Sequence, residues 1–140
     1  SCSLVGSEMC IRDRHEIDPM KADLLFLPGG MPGTVNLGKS ETVTKAAVYC
    51  AENGKITAAI CAAPSVLGNL GILKGKKATC FPGFEKELEG ATYTAAPVEI
   101  DGNVITGKGA GCAILFGKAI VEKAVSAEAA NKVCGDMQCP

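Results

Sequence analysis

Long apolar runs alternate along the chain with segments in which apolar residues recur at helical spacing. Residues 23–27 and 56–60 are almost wholly apolar, a pattern typical of strands covered on both faces in a parallel sheet. Helical spacing after each run predicts helices over 41–53 and 62–70, the second with Pro64 in its first turn. The Gly/Pro-rich stretch 31–36 is expected to be a loop.

The second half of the chain predicts shorter elements around a hairpin. Asp101-Gly102 is a strong turn signal between two apolar segments. Ser126 is a suitable N-cap for the last predicted helix. The predicted elements are strands over 77–80, 98–100 and 104–106, and helices over 84–88, 112–125 and 127–133.

Alternation of strands and helices predicts an α/β fold with a mostly parallel sheet and helices on both faces. There is no internal repeat and no linker, so residues 15–140 are expected to form a single domain. Residues 1–14 show neither strand alternation nor a helical stripe. They resemble translated sequencing-adapter DNA, and we expect them to be non-native or disordered.

The charge balance excludes several classes of partner. Lys plus Arg total 14 and Asp plus Glu total 15, which gives a net charge of −1. A protein that binds the phosphate backbone needs a basic surface, so no nucleic-acid partner is expected. No apolar run approaches the roughly 18 residues of a membrane span, so no membrane partner is expected.

Eight cysteines are the unusual feature of the composition. None belongs to a CxxC pair, and no metal site is predicted from their spacing. The apolar fraction of 47% supports a core that needs no disulfide framework, so reduced thiols in a cytoplasmic protein are expected.

Cys61 differs from the other cysteines in its position. It follows a buried strand at once and precedes a helix of small residues, which is the arrangement of a nucleophile elbow without the usual glycines. Parallel strands of open α/β folds bind ligands at their carboxyl ends, and N–H groups at a helix start favour an anion. The alternative is a cysteine that merely packs at a helix start. Residues 27–33, LPGGMPG, end the preceding apolar run and supply glycines whose N–H groups can face an oxyanion.

Three segments resemble the ThiJ/PfpI family over about residues 22–133: LFLPGGMPGTVNL, ITAAICAAPSVLGNLGILKGKKATCFPGFE and GNVITGKGAGCAILFGKAIVE. The resemblance implies a flavodoxin-like three-layer sandwich, related to class I glutamine amidotransferases, that is usually dimeric and cytoplasmic. It implies that Cys61 is the nucleophile and that Gly30 and Ala62 are the backbone oxyanion donors. Lys108 stands where close relatives often carry Arg, and is assigned either to the pocket rim or to a solvated surface.

Two departures from the family pattern affect the expected activity. The family's first strand–helix unit carries an acid/base Glu, and we expect this unit to be lacking here, because Glu8 and Glu16 are outside the motif context. Many members also have a His after the third strand, where this chain has residues 79–82, TCFP. The amidotransferase reaction is disfavoured because no His follows His15.

The resemblance predicts a cysteine-dependent glyoxalase or protein deglycase acting on glyoxal, methylglyoxal or early glycation adducts, with no cofactor. Whether this chain is an active enzyme stays open without the Glu. The alternatives are a redox-responsive stress protein or chaperone that senses oxidants through Cys61, and an inactive gene fragment. A homodimer is expected for the full-length protein.

Overall fold

A four-stranded sheet organises the fold in the computed structural model, which describes residues 18–140. The strands are β1 (Leu24–Leu27), β2 (Ile56–Ile60), β3 (Lys77–Ala78), β4 (Thr92–Tyr93), β5 (Val98–Asp101) and β6 (Val104–Gly107). The helices are α1 (Gly33–Lys39), α2 (Glu41–Glu52), α3 (Pro64–Asn69), α4 (Ala113–Ala124) and α5 (Ala127–Asp136). The predictions for residues 1–14, Glu8, His15 and Glu16 lie outside the described residues.

The sheet is mixed, with strand order β1-β2-β6-β5. β1, β2 and β6 pair in parallel, and β5 pairs antiparallel to β6 through the predicted hairpin. β3 and β4 form a separate parallel pair. β2 and β6 consist mainly of apolar and small residues because both of their faces are buried, whereas Phe26 in β1 is 47% exposed.

Helices cover both faces of the sheet, which makes the fold a three-layer α/β sandwich as predicted. On one face α1, α2 and α3 enclose a core that includes Leu27, Ala59 and Leu67. On the other face α4 packs Phe116 and Ala119 against β2 and β6. Alanines in the central strand keep these layers close, since the sequence has only four Phe, two Tyr and no Trp.

Serine side chains cap the starts of two helices, one of them at the predicted Ser126. The Ser40 hydroxyl accepts the Val43 N–H at the start of α2, and the Ser126 hydroxyl accepts the Ala129 N–H at the start of α5. Both serines satisfy a backbone donor that the first helical turn leaves free.

Several sequence-predicted boundaries are wrong. Residues 31–36 were expected to be a loop because of their Gly/Pro content. Residues 33–39 instead form α1, a short helix that begins directly after Pro32. The helix expected over 62–70 begins only at Pro64, since residues 61–63 form the turn that leaves β2. The pairing of β3 with β4 was not anticipated.

Gly68 marks the closest approach between α3 and the turn at residues 84–88. A Cβ added at Gly68 would lie 2.0 Å from the Glu87 carbonyl oxygen and 3.0 Å from the Leu88 Cα. Backbone atoms cannot move aside as the end of a flexible side chain does. This contact therefore requires glycine in the middle of the helix.

Replacement of Gly68 by Ala is expected to lower the free energy of unfolding by about 1–3 kcal/mol, the usual cost of overpacking a core. Gly117→Ala in α4 is the matched control, because a Cβ there meets nothing within 4 Å. Removing a helical glycine should raise the free energy of unfolding by about 0.5–1 kcal/mol. Urea unfolding of both variants measures the difference, and equal effects would contradict the packing described for α3.

Candidate functional site

The loops after β1, β2 and β6 lie at one edge of the sheet. Leu27 is in register with Ala59, and Ile60 is in register with Gly107, so the three parallel strands end almost level. The segments that leave them begin with Pro28, Cys61 and Lys108. Cys61 is therefore in the middle of this edge, as the sequence predicted from the end of a buried strand.

Cys61 occupies a strained backbone position between β2 and α3. Its φ of +66° lies in the left-handed region, which non-glycine residues rarely adopt. Two backbone hydrogen bonds hold it there: its N–H donates to the Gly107 carbonyl at 2.8 Å, and its carbonyl accepts the Phe81 N–H at 2.8 Å. The residue is half-buried, so its thiol is fixed by its surroundings yet accessible.

Gly29 forms the wall of the site directly beside Cys61. A Cβ at Gly29 would lie 2.6 Å from the Cys61 Cβ and 2.8 Å from the Ile60 carbonyl oxygen. Only a glycine lets the loop after β1 pass this close to the turn. Gly30 was predicted from the sequence as a site residue and Gly29 was not, although the Gly-Gly pair after β1 was the available signal.

Gly30 and Ala62 have N–H groups that donate to no group within residues 18–140. Their carbonyls, in contrast, are engaged. The Gly30 carbonyl accepts both the N–H and the hydroxyl of Thr34, and the Ala62 carbonyl accepts the Ser65 hydroxyl at 2.6 Å. These bonds fix both peptide segments, and no acceptor within residues 18–140 engages the Gly30 or Ala62 N–H group.

Cys80 lies close to Cys61 and has a different environment. It is fully buried, and burial, with repulsion from Glu85 and from Cys61, raises the pKa of its thiol to about 11. Glu85 stays ionised because hydrogen bonds from the backbone N–H groups of Gly83 and of Glu85 itself lower the pKa of its carboxyl. Cys80 is therefore protonated at neutral pH.

Lys108 begins the loop after β6 and is half-buried. Its backbone N–H donates to the Pro97 carbonyl at 3.0 Å, which anchors the loop beside the neighbouring strand. Phe81, 47% exposed, lies over Gly109, where a Cβ would come within 3.4 Å of its ring. Among the described residues Lys108 takes part in no ion pair.

A cavity of about 380 Å³ lies between α1 and α3 beside the site. Thr34, Ser65 and Phe84 are among its lining residues, and Cys61 is not. Residues 18–140 contain no group of three or more His, Cys, Asp or Glu side chains arranged to hold a metal ion. No helix in this part of the chain combines the length and the apolar character needed to cross a membrane.

Sequence comparison identifies several relatives. Protein DJ-1 homolog B of Arabidopsis thaliana is 39% identical over 117 residues, which cover 82% of this chain and 27% of the relative. The Parkinson disease protein 7 homolog of Danio rerio is 35% identical over 135 residues, or 93% of this chain and 69% of the relative. A protein of Pyrococcus abyssi named as a deglycase is 33% identical over 97 residues, or 67% of this chain and 57% of the relative. The chain thus spans only part of the length of each.

Comparison of structures gives the same relationship. The crystal structure of Drosophila melanogaster DJ-1beta superposes with a TM-score of 0.79 at 30% identity, over 93% of this chain and 69% of that one. This likeness confirms the predicted flavodoxin-like fold. Residues 5–123 match the DJ-1/PfpI family. That match begins inside residues 1–14, whose non-native origin stays a prediction. The chain therefore belongs to the DJ-1/PfpI family. This is the family, named ThiJ/PfpI above, that the segments containing LPGG and AICAAP resembled.

Proposed function

We propose that the protein is a cysteine-dependent deglycase or glyoxalase that acts on small reactive aldehydes or early glycation adducts through Cys61. The observation that carries this proposal is the half-buried Cys61 held at positive φ, with the unengaged Ala62 N–H directly after it and the loop that carries the Gly30 N–H packed against it through Gly29. Strain at such a turn is typical of functional sites, where the surrounding structure holds a nucleophile toward its ligand. The deglycase name of the Pyrococcus abyssi relative agrees with this chemistry.

The first step is addition of the Cys61 thiolate to the aldehyde carbon of a dicarbonyl such as methylglyoxal. A carbon–sulfur bond forms, the carbonyl π bond breaks, and the oxygen takes the negative charge and then a proton, which gives a hemithioacetal. The N–H groups of Gly30 and Ala62 are assigned to stabilise that oxyanion. Lys108 is assigned to the rim, where an ammonium group favours anionic substituents.

Conversion of the hemithioacetal to a 2-hydroxy acid requires a proton transfer between the two former carbonyl carbons. No hydrogen-bond partner of the Cys61 thiol lies within residues 18–140, and Glu85 is bound to backbone N–H groups. General acid–base catalysis of this kind contributes about 10²–10⁴-fold to a rate. We therefore assign adduct formation to the described residues and expect slow turnover unless a further carboxylate is supplied.

A redox role is the second candidate, and the same free N–H groups favour it. Oxidation of an accessible thiolate to a sulfinic acid adds oxygens that need hydrogen-bond donors, and Gly30 and Ala62 have N–H groups free to supply them. Measurement of aldehyde turnover distinguishes the two roles, because only the deglycase or glyoxalase role requires it. A homodimer in the cytoplasm is the proposed state of the whole protein, by analogy with the family.

Cys61 is expected to be alkylated by iodoacetamide much faster than Cys50 or Cys80 in the folded protein. Burial raises the pKa of both of the latter thiols, to about 11 for Cys80, so they stay protonated as well as inaccessible near neutral pH. Timed labelling followed by peptide mapping measures the order. Raising the pH toward 11 ionises the Cys80 thiol, but its burial should still keep it slower to label than Cys61. Faster labelling of Cys50, Cys80 or Cys112 than of Cys61 would exclude the proposed nucleophile.

Gly29→Ala should reduce Cys61 alkylation at least about tenfold, because the new Cβ collides with the Cys61 side chain and displaces the turn. Gly33→Ala is the matched control in the same loop, since a Cβ there meets nothing within 4 Å. Circular dichroism shows whether each variant remains folded. An unchanged labelling rate in a folded Gly29→Ala protein would mean that this contact does not shape the site.

The 140-residue chain should bind methylglyoxal reversibly through Cys61 and release little lactate. Addition needs only a thiolate and oxyanion donors, whereas isomerisation needs a positioned acid/base. Intact-mass measurement should detect the adduct in the native protein and not in Cys61→Ser, and an enzymatic lactate assay follows turnover. Rapid lactate release would show that one of this chain's own groups serves as the base.

A further inference from the structure

The end of α5 is closed by a hydrogen-bonded motif that brings two cysteines together. Gln138 has a φ of +54°, and its N–H donates to the Gly135 carbonyl at 3.0 Å. The Cys139 N–H donates to the Cys134 carbonyl at 2.9 Å. This pair of bonds around a left-handed residue defines the Schellman motif, in which the side chains at the positions of Cys134 and Cys139 face each other.

An apolar contact frequently accompanies this motif, and here two cysteines that form no disulfide occupy its positions. Both cysteines are half-buried and border an apolar cavity of about 310 Å³ between α4 and α5. Partial burial and a hydrogen bond with the Cys134 thiol raise the pKa of Cys139, against the opposing effect of the Lys118 ammonium on α4. Cys134 and Cys139 therefore lie side by side at the end of α5, where both line this cavity together with Ala113 and Ile114 at the start of α4.

We propose that Cys134 and Cys139 are a thiol–disulfide exchange pair that reacts with low-molecular-weight disulfides of the glutathione type. The Schellman motif already holds the two cysteine residues side by side, so closing the disulfide requires little further ordering of the chain. The site is independent of Cys61 and does not rest on the aldehyde chemistry proposed above.

The exchange balances in two steps. The Cys134 thiolate attacks one sulfur of glutathione disulfide, which forms a mixed disulfide and expels one glutathione thiolate. Cys139 then loses its proton to solvent, and its sulfur attacks the Cys134 sulfur and expels the second glutathione thiolate. Two protein thiols give up two electrons and two protons, and one glutathione disulfide becomes two glutathione molecules.

The test uses the full chain in a Cys61→Ser background, so that the candidate nucleophile cannot contribute. The folded protein is equilibrated with mixtures of reduced and oxidised glutathione, quenched in acid and digested with trypsin. The peptide that begins at Val133, after Lys132, carries both cysteines and no other. We expect this peptide to lose two hydrogens and to carry no glutathione, whereas Cys134→Ser and Cys139→Ser should each yield a glutathione adduct.

Two variants at the exposed Gln138 test whether the motif is responsible. Gln138→Gly introduces a residue that adopts positive φ readily. Gln138→Val introduces a β-branched side chain, which opposes that conformation. The equilibrium constant for the disulfide should be at least about tenfold smaller in Gln138→Val than in Gln138→Gly, a difference that redox titration resolves. A peptide that stays reduced or only glutathionylated in the Cys61→Ser protein, or equal constants for the two Gln138 variants, would overturn the proposal.

Discussion

Parallel pairing of β1, β2 and β6 determines where the functional site lies. Because the three strands run in one direction and end level, the loops that leave them meet at one edge. Ile60 and Gly107 are the last paired residues of β2 and β6. The N–H of Cys61, the next residue after β2, donates to the Gly107 carbonyl and so extends the ladder of hydrogen bonds by one residue. Cys61 is thereby held at the end of a rigid ladder while its φ turns the chain toward α3. The site is precise because the sheet, rather than a flexible loop, positions it.

Close packing through small residues makes that edge compact. Ala58 and Ala59 in β2 are fully buried, and Gly107 has no room for a Cβ between Phe116 and Ile60. Gly29 extends the same principle into the site, where its backbone passes against the Cys61 side chain. A core with few aromatic residues gains stability from many close contacts instead of a few large ones. As a consequence, a larger residue at glycine positions such as Gly29 and Gly107 would collide with its neighbours.

Residue patterning predicted the sheet better than the detail around it. Continuous apolar runs identified β1 and β2, and Asp101-Gly102 identified the hairpin, because burial and turn chemistry are local properties. The position of Cys61 at the sheet edge followed from the same reasoning. The contact of Gly29 with Cys61 joins segments some thirty residues apart, and periodicity carries no information about such distances. The contact of Cys134 with Cys139 depends on a left-handed Gln138 that no sequence signal marked, since glycine or asparagine usually occupies that place.

The central claim is that Cys61 forms the covalent bond to an aldehyde at this sheet edge. Carbon-13 NMR of the protein with methylglyoxal labelled at its aldehyde carbon tests it most directly, because hemithioacetal formation converts that carbon from trigonal to tetrahedral and attaches sulfur. We expect a protein-bound hemithioacetal resonance in the native chain, which Cys61→Ser abolishes and Gly33→Ala retains. A hemithioacetal resonance that persists in Cys61→Ser, or none in the native chain with Cys61 reduced, would contradict it.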